Sequence, residues 1–175
     1  MIETERLRLV PWGKTERAPY YAMTADAEVM IDYGRPFDPA TAQERFDRHA
    51  SAFKRDGFGK WAIRCKHDGS YVGYCGVGPI WPTLPAAPGL EIGWRLVREA
   101  WGRGYATEAA RAALTDIFAR TLARDVIAFT DPGNARSLSV MARLGLRRDP
   151  RRDFIHESGS RVVVHVADRG AWATF

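Results

Sequence analysis

The chain has 175 residues, 46% of them hydrophobic, and 26 Lys+Arg against 21 Asp+Glu give a formal net charge of +5. That composition excludes a disordered chain, and the length fits a single domain (1–175) within the usual ~100–200 residues, able to bury roughly 70% of its unfolded surface. No run approaches the ~18 apolar residues of a membrane span, and the opening Met1-Ile2-Glu3-Thr4-Glu5 carries neither a basic patch nor an apolar stretch, so a cytoplasmic protein is expected.

In chain order, Arg6-Leu7-Arg8-Leu9-Val10 alternates polar and apolar, the pattern of a strand with one buried face, and Pro11 closes it. A mixed helical region follows over about 15–31. A second helix over 40–56 carries Phe46, His49, Ala50 and Phe53 at helical spacing, starts at Asp38-Pro39 and stops at Asp56-Gly57. Two strands, about 59–66 and 71–78, are joined at Asp68-Gly69, a strong hairpin signal. If that turn has two residues, Cys65 faces Val72 and Cys75 faces Ala62, which puts the two sulfurs on opposite faces of the sheet. Free buried thiols are therefore expected, since two cysteines make neither a disulfide framework nor a zinc site.

Four prolines (Pro79, Pro82, Pro85, Pro88) make 79–89 a loop, long enough to form a lid or a substrate wall. Leu90 to Leu96 alternates as a strand and leads through a glycine-rich turn into a helix over about 105–120, with Ala106, Ala109, Ala110, Ala113, Leu114 and Ile117 on one face. A strand at 125–130, a helix at 134–144 stopped by Gly145, and a hairpin of 146–156 and 161–168 turning at Ser158-Gly159 complete the chain. The order predicts an α/β (α+β mixed) domain: a mostly antiparallel, seven-stranded twisted sheet flanked by about four helices.

The turn Trp101-Gly102-Arg103-Gly104-Tyr105-Ala106-Thr107 lies between a strand and a helix, where unpaired N–H groups and the helix dipole favour an anion and Arg103 can add charge. Alone it is as often a packing device. The dinucleotide fingerprint is incomplete, with Thr107 at its third glycine, and no triphosphate loop is present. Of the 26 cationic residues 22 are arginine, spread along the chain; attraction of anionic ligands and plain arginine-rich composition both remain open. The cluster Arg143, Arg147, Arg148, Arg151 and Arg152 reads first as a solvated face and second as a contact for an acidic partner.

Glu91-Ile92-Gly93-Trp94, then Trp101 through Ala109, then Asp131-Pro132-Gly133-Asn134 through Ser137, and finally Leu144-Gly145-Leu146 together resemble the GNAT-type N-acetyltransferases, within them the RimJ/RimL-like branch. The resemblance covers most of the chain, including the Thr4 to Leu9 strand. It implies an acetyl-CoA-dependent N-acetyltransferase acting on a primary amine (a protein N-terminus, an amino acid or a small amine) by direct attack in a ternary complex. A non-catalytic acyl-CoA-binding module of the same fold is the alternative.

By that resemblance the pyrophosphate of acetyl-CoA sits on Gly102, Arg103, Gly104, Tyr105, Ala106 and Thr107, and the pantetheine lies along Ile92, Gly93 and Trp94. Trp101 stands where the superfamily usually has Gln or Arg, so Arg98 or Arg103 supplies the charge. The resemblance makes Glu91 the base, against a solvent-facing glutamate or one paired to an arginine. It makes Ser137 the acid, because the usual tyrosine position holds Met141; Ser137 also fits a helix start that satisfies its own N–H groups. Asn134 caps its helix or bonds the pantetheine. No metal is expected, because His49, His67, His156 and His165 lie in separate elements with no i, i+4 pair. Nucleic acid is disfavoured by the lack of an aromatic–basic strand or helix-turn-helix signature, and monomer or homodimer is left open. The acceptor pocket falls to 15–40 and 79–89, with Trp12, Tyr20, Tyr21, Tyr33, Trp81 and His156 as candidates.

Overall fold

The computed structural model describes residues 1–156 and 159–172, which form nine strands and five helices. In order they are β1 (Ile2–Glu3), β2 (Leu7–Val10), α1 (Lys14–Thr24), α2 (Pro39–Asp56), β3 (Lys60–Cys65), β4 (Tyr71–Pro79), β5 (Leu90–Leu96), α3 (Tyr105–Arg120), β6 (Asp125–Thr130), α4 (Ala135–Arg143), β7 (Arg147–Arg148), β8 (Phe154–Ile155), β9 (Arg161–Asp168) and α5 (Arg169–Trp172). The sheet runs β1-β2-β3-β4-β5-β6-β9-β7, with β8 also on β9. Every pairing is antiparallel except β5 with β6, which α3 joins as a crossover. No helix among the described residues is long and apolar enough to cross a membrane.

The sheet is covered differently on its two faces. On one, α3 seats Ala109, Ala110, Ala113 and Leu114 against Leu7, Leu9, Ile63, Val72 and Cys75; its small side chains let the helix approach closely, and Met141 of α4 joins them, fully buried. On the other, α1 and α2 bury Tyr20, Met23 and Phe46 around Trp12 and Ala62. Beyond β5 that second face is covered by the proline-rich loop, whose Ile80 packs with Ile127, Phe154 and Val164. A bond from Ile80 N–H to Gly89 C=O (2.9 Å) closes the loop at its base.

Two sequence expectations need correction. The β3–β4 turn is a four-residue loop, Lys66 to Gly69, closed by Cys65 N–H to Ser70 C=O (2.9 Å). A bulge follows, so Ile63 faces Gly73 while Arg64 faces Tyr71. Cys75 therefore faces Trp61, not Ala62, and both cysteines lie on the α3 face rather than on opposite faces. They stay free because four residues of strand, about 13 Å, separate their positions. The expected strand 146–156 is broken into β7 and β8 by a turn of 3-10 helix at Pro150–Arg152. Pro150 has no N–H for the ladder, and Asp149 accepts the Arg151 N–H instead (3.2 Å). Arg148 pairs with Asp153, and Arg152 with Asp125 (2.8 Å), so part of the arginine cluster is structural. This break and the short β1 raise the strand count from seven to nine. Of the expected Ser158-Gly159 turn, Ser158 lies outside the described residues.

Glu108 ties the first hairpin to the start of α3. Its carboxylate accepts from Thr4 Oγ1 (2.5 Å), Arg6 N–H (2.8 Å) and Arg6 Nε (2.7 Å). Burial pushes its pKa up, but those bonds outweigh burial and hold it below its ordinary 4.5. A depressed carboxylate stabilises the fold above about pH 4.5 and loses that contribution as pH falls through the folded value. Glu108→Gln is thus expected to cost about 2 kcal/mol in urea unfolding at pH 7 and to flatten the acid limb of stability against pH. Equal stability of the two proteins at pH 7 would contradict this.

Candidate active site

β5 and β6 share one register pair, Glu91 with Ile127. From Ile92 to Leu96, β5 keeps β4 on one edge and has no further ladder partner among the described residues on the other. Backbone N–H and C=O groups at such an edge demand partners, and an extended ligand with amides of its own can supply them. Ile92 is buried, Gly93 and Trp94 are half-buried, and all three lie on this stretch.

The glycine-rich turn follows. Gly102 and Gly104 hold φ of 74° and 78°, a left-handed backbone that brings the chain into α3 without a side-chain cap. The Glu108 N–H to Gly104 C=O bond (3.1 Å) begins the helix ladder, so the N–H groups ahead of it are open to an anion. Thr107 Oγ1 is buried with no partner among the described residues. Beside the turn is a groove of about 590 Å³ lined by Gly102, Gly104, Thr107, the carboxylates Glu5 and Glu108, and the arginines Arg6, Arg111 and Arg143, of which Arg6 is paired with Glu108. Arg103 is exposed, and its carbonyl accepts from Arg6 (2.9 Å). Arg136, on the first turn of α4, stacks its guanidinium 3.9 Å from the centre of the Trp101 ring. An uncapped helix start, an orphaned hydroxyl and surrounding arginines fit the pyrophosphate of CoA.

Glu91 is 8% exposed, not solvent-facing, and its partner is a lysine rather than an arginine: Lys60 Nζ donates to Oε1 at 2.8 Å. Register explains the reach. Lys60 lies opposite Gly76, which lies opposite Gly93, so no side chain blocks the lysine as it crosses the sheet towards β5. A Cβ on Gly93 would come within 3.0 Å of Lys60 Nζ. Gly78, facing Glu91, would project a Cβ into open space. Glycines on the α1/α2 face thus leave Lys60 a path across the sheet to Glu91. Burial works against the Lys60 ammonium, but the Glu91 carboxylate outweighs it, and the pKa of Lys60 rises above its ordinary value. His49, stacked on Trp12 (5.1 Å), is neutral: burial first, then the charges of Lys60, Arg48 and Arg45, hold it down to about 3.

The other predicted residues are spread around this centre. Asn134 caps α4, its Oδ1 accepting the Ser137 N–H (3.1 Å), and Ser137 is half-buried on the first turn. Tyr105 and Ala106 open α3, both half-buried. Arg98 pairs with Asp26 (2.9 Å) and Glu28 (3.0 Å), which occupy its charge away from the turn. Of the acceptor candidates, Trp12 and Tyr20 are core residues, and Trp12 Nε1 donates to Lys60 C=O (2.6 Å). Tyr33 and Trp81 are exposed. His156 lies on the last hairpin, its N–H bonded to Ser160 C=O (2.9 Å). Sequence reasoning missed Lys60 and Arg136. Arg111, one turn after Thr107 on α3, was legible from helical spacing. No group of three or more His, Cys, Asp or Glu among the described residues could hold a metal ion.

Comparison with known proteins agrees with this architecture. The family profile of the acetyltransferase (GNAT) domain matches residues 6–147. The chain is 31% identical over 146 residues to YkkB, an uncharacterized protein of Bacillus subtilis, covering 83% of this chain and 84% of that one. It is 33% identical over 156 residues to the FsC-acetyl coenzyme A-N(2)-transacetylase of Aspergillus fumigatus, covering 83% of this chain and 64% of the relative's length. An acetyltransferase from Agrobacterium tumefaciens superposes with a TM-score of 0.80 at 27% identity, over 95% of this chain and 92% of its own. The ribosomal L7/L12 alpha-N-protein acetyltransferase RimL, solved with coenzyme A, shares the fold with a TM-score of 0.75 at 14% identity, over 94% and 95% of the two chains. With the parted parallel strands and the uncapped glycine turn already in place, these matches make the chain a member of the GNAT acetyltransferase family.

Proposed function

We propose that the protein transfers an acetyl group from acetyl-CoA to a primary amine by direct attack in a ternary complex. The observation that carries this reading is a buried carboxylate, Glu91, at the point where β5 and β6 part company, with the uncapped start of α3 following in the same chain segment. When bound, acetyl-CoA supplies a thioester carbonyl open to amine attack. The unpaired edge of β5 from Ile92 to Trp94 aligns it, and the N–H groups of Gly102 to Thr107 hold its pyrophosphate. Such alignment supplies roughly 7–11 kcal/mol of the barrier.

Glu91 takes the amine proton, directly or through a water, and Lys60 fixes the carboxylate in place. A backbone N–H near Trp94 stabilises the carbonyl oxygen; the Ser137 hydroxyl gives its proton to the departing sulfur and regains one from solvent, to which Glu91 releases the amine proton. Asn134 fixes the α4 start that carries Ser137. The motifs from Trp101 to Ala109 and from Asp131 to Ser137 support placement in the RimJ/RimL-like branch. One observation favours the binding-module alternative: the charge of Glu91 is already matched by Lys60.

Arg136 takes over phosphate contact where Trp101 replaces the usual polar residue. Arg136→Ala is expected to weaken CoA binding about five- to tenfold by calorimetry; an unchanged affinity would remove Arg136 from the site. The function itself is tested by following CoA release from acetyl-CoA over a panel of amines, with N-acetyl products identified by mass spectrometry. Amine-dependent release with intersecting double-reciprocal plots is expected. Tight CoA binding without turnover on any amine would favour the binding module, and parallel plots would point to an acetyl-enzyme.

A further inference from the structure

On the same face of the sheet as Glu91, α2 carries a cluster of cationic and aromatic side chains. Arg45 and His49 are four residues apart on that helix with Arg48 between them, so the three share one face. Arg48 stacks 3.7 Å from the centre of the Trp81 ring and Arg45 lies 5.1 Å from it, so both guanidinium groups sit beneath the first turn of the proline-rich loop. Arg45 also lies 5.8 Å from Phe37, Phe37 packs on Tyr33 (5.0 Å), and Tyr33 lies over Arg95 (4.9 Å). His49 packs on Tyr74 (5.1 Å), the cross-strand neighbour of Arg95. Lys60, the partner of Glu91, is near enough for its charge to act on His49.

The charges in this cluster are unevenly matched. Lys60 has Glu91, Arg95 has Asp32 (2.7 Å) and Arg48 has Glu44 (2.5 Å). Arg45 has ring contacts and no carboxylate partner among the described residues. Among the described residues, Arg48 Nη1 and Arg95 Nε are buried without an acceptor. Buried guanidinium donors left unmatched are costly, and an oxyanion such as a carboxylate or a phosphate, which can take two parallel N–H bonds, is the group that matches them. The neutral His49 agrees: the charges acting on it, those of Lys60, Arg48 and Arg45, are all positive.

From this we infer that the acceptor amine carries an anionic group, a carboxylate or a phosphate, which Arg45 and Arg48 bind beneath Trp81 while the amine faces Glu91. The inference rests on the acetyl-transfer reading and names its substrate class. It sets a multiply cationic amine at a disadvantage, since its further charges would meet arginine.

The test uses matched acceptors: 4-aminobutyrate against butylamine, and O-phosphoethanolamine against ethanolamine, with spermidine as the polycation. The wild-type protein is expected to favour the anionic member of at least one pair by roughly 10- to 100-fold in kcat/KM. The two pairs distinguish carboxylate from phosphate. Arg45→Gln is expected to bring that ratio down towards one, and Arg45→Lys, which keeps the charge, to retain most of it; thermal melting verifies that each variant folds. Turnover without preference, preference for spermidine, or a preference that survives in the Arg45→Gln/Arg48→Gln double variant overturns the inference and leaves acetyl transfer standing. Absence of turnover on every amine overturns the transfer reading and this inference with it.

Discussion

Replacing Glu91 by Gln is expected to lower kcat by roughly 100- to 10,000-fold, the range removed when a general base is lost, while CoA affinity stays close to that of the wild type. The carboxylate sits at the closed end of the β5–β6 opening, 8% exposed, where a bound amine would lose its proton. The substitution also leaves the half-buried Lys60 without its counter-charge, which by itself costs about 1–3 kcal/mol of stability. A Lys60→Met/Glu91→Gln double variant removes both charges, restores stability and is expected to remain inactive. Loss of activity with stability regained assigns Glu91 to the chemistry. Activity regained in the double variant would assign it to structure alone.

Gly73→Ala is expected to destabilise the fold by about 3 kcal/mol or more, read as a shift in the urea midpoint at unchanged slope. Gly73 holds φ of 141°, and a Cβ there would lie 2.1 Å from Arg95 C=O and 2.7 Å from Leu96 Cα, both backbone atoms of β5 that cannot yield without opening the ladder. Gly69→Ala is the control. Its φ of 71° is also left-handed, but a Cβ would meet nothing within 4 Å, so about 1 kcal/mol is expected. Equal effects at the two glycines would show that backbone conformation, not the close approach of β4 to β5, sets the cost.

These two positions also show what the sequence made legible. Local signals are legible: Asp38 accepts the Thr41 N–H (2.8 Å) at the start of α2, and Gly57 ends that helix at φ of 78°. The alanine face of α3 and the glycine turn before it are local as well. Register was not legible, because the Lys66 to Gly69 loop and the bulge at Gly73 each move the pairing by amounts that Asp68-Gly69 alone does not encode. Long-range pairs were hidden for the same reason. Lys60 and Glu91 lie 31 residues apart and meet only because Gly76 and Gly93 fall in register between them. The stacking of Arg136 on Trp101 depends on how two helix starts converge. The residues expected at the site were named from resemblance, and the contacts that tune them came from the sheet.

The account places the donor in the opening between β5 and β6, and amide hydrogen exchange with and without CoA tests that most directly. Slowed exchange is predicted in two segments together, Gly93 to Arg95 on the unpaired edge of β5 and Gly102 to Thr107 at the start of α3, with little change in β2 or α2. Protection elsewhere, with these amides exchanging as fast in saturating CoA as without it, would contradict the account.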